Sequence, residues 1–139
     1  MITDITEKVT PIAAGLIKQF DLYFDDVDIS LVKFVENDYG KVTKFLAKCH
    51  AVGSLYEYFT GCCYIIEFAC PIFNTLTDKQ KEIVLLHELF HIPPGGTDPD
   101  NNMYMKLRQH TIQDFTPITE RYGVNWQWKD FEAEMLGDK

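Results

Sequence analysis

The sequence predicts an α+β fold. Three observations carry that prediction. Apolar residues recur at helical spacing near the N-terminus and again after residue 78. Runs rich in β-forming residues stand between them. The order along the chain is helix, strands, helix, helix, without the strict alternation of a parallel α/β fold.

The first helix is expected over residues 4–20, from Ile5, Val9, Ile12, Leu16 and Phe20, with Pro11 making it firm only from there on. VDISLVKFV (27–35) reads as a strand, and NDYGK breaks it. Residues 42–52 fit a strand or a short helix equally well. CYIIEFA (63–69) reads as a strand. TLTDKQKE then carries a helix start: Thr77 as N-cap, Asp78 in the first turn and Gln80 at the capping-box position. That helix should run over 78–92 until Pro93, Pro94, Gly95 and Gly96 stop it. PPGGTDPDNN is a loop, residues 103–122 look helical with a break at Pro117, and WKDFEAEML suggests a last short helix.

At 139 residues the chain has the size of one domain, 1–139. A 46% hydrophobic and 14% aromatic composition belongs to a folded globular protein. The longest apolar runs, such as CCYIIEFAC, are too short to cross a bilayer, and the N-terminus lacks the basic region of a signal peptide, so the cytosol is expected. Cys49, Cys62, Cys63 and Cys70 include no CxxC pair, and read as free, mostly buried thiols. The net charge of −8 has the wrong sign for tracking a phosphate backbone, so direct nucleic-acid binding is not expected.

The chemistry gathers at His87-Glu88-Leu89-Phe90-His91, an HExxH pattern. Four helical residues advance about 400° and rise about 6 Å, so both imidazoles point the same way. Two histidines so placed can both reach a zinc ion, at about 2.0–2.1 Å. Glu88 lies about 100° further round, poorly placed as a third ligand but able to reach a water on the metal. The plain alternative is a solvated polar stripe, but this helix has little other polar surface to continue one. A catalytic zinc needs a third protein ligand and an open position. Position 97 is Thr and position 111 is Thr, which removes two common spacings. His110 is the natural candidate, with Asp98, Asp100 and Asp114 as oxygen alternatives. His50 reads as structural or exposed. Tyr104, Arg108 and Tyr122 are candidate donors to an oxyanion, and equally candidates for plain structural roles.

LTDKQKEIVLLHELFHIPP, MKLRQHTIQDF and RYGVNW, with IIEFACPIFNTL ahead of them, resemble the phage metallopeptidase family over about residues 24–128. That family is a small zincin-like group distantly similar to SprT-like proteases. The resemblance implies a minimal zincin-like fold: a small, mostly antiparallel sheet packed on the HExxH helix and on a following helix with the third ligand. It implies His87, His91 and His110 as ligands of one Zn2+ per chain, with Glu88 catalytic, and a specific peptide or protein as substrate. It also suggests the strand with Tyr64, Ile65, Ile66 and Glu67 as the edge on which an extended substrate pairs. The family usually has Asp directly after the third His; here that residue is Thr111, and Asp114, one turn beyond His110, is expected close to the metal.

Two functions of different class follow. One is a zinc peptidase in which Glu88 takes a proton from the attacking water. The other is a non-catalytic acidic phage protein that blocks a host nucleic-acid-handling protein, its zinc structural or lost. Glu88 favours the enzyme, because a structural zinc site has no use for a general base.

Overall fold

The computed structural model describes residues 1–41 and 43–108. Strand β1 (Ile2–Asp4) leads into helix α1 (Thr6–Gln19), then β2 (Val32–Asp38), β3 (Ala47–Ala51), helix α2 (Ser54–Thr60), β4 (Tyr64–Cys70) and helix α3 (Asp78–Leu89). The four strands form one sheet in the order β1-β2-β4-β3. β1–β2 and β3–β4 are antiparallel and the central β2–β4 pair is parallel, so the expected α+β class and mostly antiparallel sheet are what the chain forms.

Helices α1 and α3 pack on one sheet face and on each other. α1 buries Val9, Ala13 and Leu16; Ile83 to Leu89 of α3 are buried without interruption. Val32 and Phe34 of β2 and Tyr64, Ile66 and Phe68 of β4 complete the core between them. By the two-residue alternation of strands, Lys33, Val35, Asn37, Lys48, His50, Ile65 and Glu67 belong to the opposite face.

Several boundaries differ from the sequence expectation. α1 begins before Pro11, which lies on its exposed side; Asp4 accepts the Thr6 N–H (2.9 Å), satisfying one amide of the first turn. The strand expected at 27–35 starts only at Val32. The Asp28 carboxylate accepts the Ser30 N–H (3.0 Å) and turns Ile29–Leu31 into a short 3-10 segment. Residues 103–108 are turns and irregular chain rather than helix. Met105 takes a positive φ of 55° and donates its N–H to Gly96 (2.8 Å), folding this stretch back over the loop after α3. The expected helices beyond it, 109–122 and around WKDFEAEML, lie outside the described residues. α2, which sequence reading missed, buries none of its residues and leaves Leu55, Tyr56, Tyr58 and Phe59 exposed.

The strand with Tyr64, Ile65, Ile66 and Glu67 is not an edge. β4 has β2 on one side and β3 on the other, so its backbone groups are committed to the sheet. Tyr64 is fully buried, and its hydroxyl donates to the Lys106 carbonyl (2.5 Å). Among the described residues the edge on that side is β3. Leu46 and Val52 bond to Ala69 and Cys63 of the β4 side, so the alternate residues Ala47, Cys49 and Ala51 turn their N–H and C=O groups outward.

Candidate active site

α3 places the site by its register. Thr77 accepts the Gln80 N–H (3.2 Å), and the Gln80 side chain accepts the Thr77 N–H (2.9 Å), closing the expected capping box. The regular helix ends at Leu89, short of the expected residue 92. Residues 91 and 92 continue the coil with tighter bonds, His91 N–H to Glu88 (3.1 Å) and Ile92 N–H to Leu89 (2.9 Å), before the two prolines remove further donors. His91 therefore still lies over His87, their rings 5.4 Å apart between centroids.

His87 and Glu88 are 3% and 4% exposed, and His91 is partly buried. His87 Nε2 and Glu88 Oε2 lie 4.0 Å apart. Among the described residues His87, Glu88 and His91 form the group suited to hold a metal ion, with ligand atoms all within 4.8 Å of one another. That spacing is short enough for one metal ion to lie among them. Glu88 thus converges on the same point as the histidines, closer than its position on the helix suggested.

His91 Nδ1 lies 2.9 Å from the Arg108 carbonyl, an acceptor only, so Nδ1 carries a proton and Nε2 is the nitrogen left for a metal. The same peptide strand is tied a second time, by Arg108 N–H to the His91 carbonyl (2.6 Å). A metal-ligating histidine typically has its other nitrogen held in this way. Nitrogen and carboxylate donors in a buried setting suit zinc, and the residues present fit a metal of that kind.

The description "Putative phage metallopeptidase" belongs to a family whose profile matches residues 4–135. The chain belongs to this family. Membership of a metallopeptidase family implies a metal and peptide or protein substrates. No curated protein and no solved structure matches the chain. No described helix is long and apolar enough to cross a membrane.

The Arg108 guanidinium donates to the Tyr23 carbonyl (2.6 Å) and stands over the Phe90 ring, 5.4 Å from its centroid. Its link to the site runs instead through its backbone, a role that has no sequence signature. The Tyr104 hydroxyl meets the Cys63 thiol at 3.8 Å, and burial, with that thiol, pushes it up to about 12. Thr97 is buried, accepts the Asp28 N–H (2.8 Å) and donates to the Asp26 carbonyl (3.2 Å), which joins the loop after α3 to the chain ahead of β2. Asp98 and Asp100 turn their bonds to the loop itself, Asp98 accepting the Asp100 N–H (2.9 Å). β3 packs beside α3, and burial, then the Glu88 carboxylate, pushes the Cys49 thiol well up. The four cysteines are free thiols. His110, Asp114 and Tyr122 lie outside the described residues.

Proposed function

We propose that the protein is a zinc-dependent peptidase of the HExxH type, with His87, His91 and His110 holding one zinc ion and Glu88 as its general base. The observation that carries this reading is the buried convergence of His87, Glu88 and His91, with the His91 tautomer set by Arg108. Arg108 is fastened to His91, and His110 follows two residues later, a reach of at most about 7 Å along the chain.

Zinc bound by such a set supplies Lewis-acid chemistry, making water acidic near neutral pH and polarising a carbonyl oxygen. The chain's own residues do the rest. His91 presents Nε2 because Nδ1–H is committed to the Arg108 carbonyl. The Glu88 carboxylate takes a proton from the attacking water and returns it to the leaving amine. Burial of His87 and Glu88 keeps bulk water from levelling these charges. An extended substrate pairs with the outward N–H and C=O groups of β3, the strand beside α3, rather than with β4.

Plasma emission on protein purified without added metal should find one zinc per chain. His87→Ala and His91→Ala should each abolish it. A zinc-free wild type whose melting temperature ignores a chelator would sink the proposal and leave the acidic binding protein as the better reading.

A further inference from the structure

Glu67 stands on β4 with its side chain on the sheet face opposite α3, and is 9% exposed. A carboxylate so placed is costly unless its oxygens are bonded. Three donors bond it: Asn37 Nδ2 (2.8 Å), the Tyr39 hydroxyl, and His50 Nε2 (2.8 Å). Burial pushes the Glu67 carboxyl up, but the hydrogen bonds from Tyr39, His50 and Asn37 outweigh it and hold the group below its ordinary value. The ionised form, able to accept all three bonds, is therefore the one the fold selects.

The donors come from different parts of the chain. Asn37 is on β2, Tyr39 just beyond it, and His50 on β3, so one carboxylate gathers the central pair of strands and the edge strand. β3 is five residues long and has β4 as its sole described neighbour. Its two side chains on this face are Lys48 and His50. Lys48 is directly opposite Glu67 in register, yet its ammonium sits over the Phe45 ring, 4.2 Å from the centroid, within β3's own approach segment. Among the described residues, the diagonal His50–Glu67 bond is thus the side-chain hydrogen bond that ties β3 to β4 on this face.

We propose that Glu67 is a positioning residue: acting through His50, it holds edge strand β3 in register beside α3, so that Ala47, Cys49 and Ala51 present their outward backbone groups as a fixed template. What pairs with that template rests on the peptidase reading; the pinning itself does not. Glu67 touches neither metal nor substrate in this role.

Site-resolved hydrogen exchange on the full chain tests it. The Lys48 and His50 amides, which face β4, report attachment of β3, and the β2–β4 amides report the rest of the sheet. In Glu67→Leu the β3 reporters should exchange roughly ten-fold faster, while β2–β4 amides stay within about two-fold. His50→Ala, a change at a half-exposed side chain, should do the same, and covers the case in which Glu67→Leu fails to fold. Glu67→Gln, which keeps an acceptor oxygen, should restore a large part of the protection. Equal acceleration of both strand pairs would make Glu67 a general stability residue and overturn the proposal, as would unchanged exchange at β3. Zinc content measured on the same samples separates the two ideas: a metal-free wild type ends the peptidase reading without moving the exchange contrast.

Discussion

His87, Glu88 and His91 owe their meeting to one helical turn, and each has a distinct task that substitution can separate. Glu88→Gln keeps the volume and the fold but removes the base. Zinc should be retained, and activity, on whatever peptide is cleaved, should fall by at least ~10²; loss of zinc in this variant would instead make Glu88 a ligand. The third ligand is tested by contrast. His110→Ala should lose zinc on dialysis, whereas Asp114→Ala should keep it at micromolar supply, since loss of a residue that only supports a ligand costs ~10 to 100-fold in affinity. The reverse ranking would make Asp114 the ligand. At this scale HELFH was readable because histidine and glutamate are rare in a run of apolar residues. The role of Arg108 was not, because every residue has a carbonyl. His50 and Glu67 were hidden for another reason: their bond crosses seventeen positions of sequence, and only the β3–β4 register brings them together.

Among the elements, α3 was the most legible. Its capping box, apolar run and double-proline stop are local signals that agree with one another. The cap gives a direct prediction: Thr77→Ala should cost about 1 kcal/mol, seen as a fall of about 3–5 °C in thermal melting, with zinc content unchanged. A loss of zinc would mean that the helix start and the site are more tightly coupled than the capping argument allows. β1 and α2 were not legible: three and seven residues are too few for a periodic signal, and α2 buries nothing that would have left a pattern. The interior position of β4 did leave a mark. Tyr64 to Cys70 is close to unbroken apolar sequence, the habit of a strand buried on both faces and paired on both edges, and the one charged member, Glu67, proves to be bonded three times. The strand expected at 27–35 begins late, at Val32, because one Asp side chain captured a backbone amide at Ser30.

For the whole molecule, metal and fold should be coupled. A ligand bound only by the native state stabilises it by about 2.7 kcal/mol at a hundred times its dissociation constant. A chelator should therefore lower the melting temperature of the zinc-loaded protein, and excess zinc should restore it; an unchanged melt would argue that no metal is held. Acid should act separately. Hydrogen bonds from the Thr6 side chain and backbone hold Asp4 below its ordinary value, and Glu67 is held down against its burial by Tyr39, His50 and Asn37. Groups with lowered folded values stabilise above their unfolded values and lose that contribution as pH falls through the folded ones. Metal-free protein should thus lose stability progressively below about pH 4.5, the ordinary value for Glu67, and Glu67→Gln should show a shallower decline in a series of acid melts.

The pair of bonds between His91 and Arg108 closes a stretch of chain that is held at residue 108 by peptide groups alone, not by the side chain. Selection at position 108 can therefore act on two things independently. The guanidinium, with its hold on Tyr23 and Phe90, is open to exchange at the cost of local packing. The carbonyl that orients the imidazole is supplied by whichever amino acid stands there. Proline alone would strip the N–H that meets His91, and a length change between residues 92 and 107 would carry the carbonyl away altogether. Variation in this protein should accordingly tolerate a new letter at 108 far better than an added or deleted one in the loop before it, so that spacing, rather than identity, is what inheritance has to preserve there.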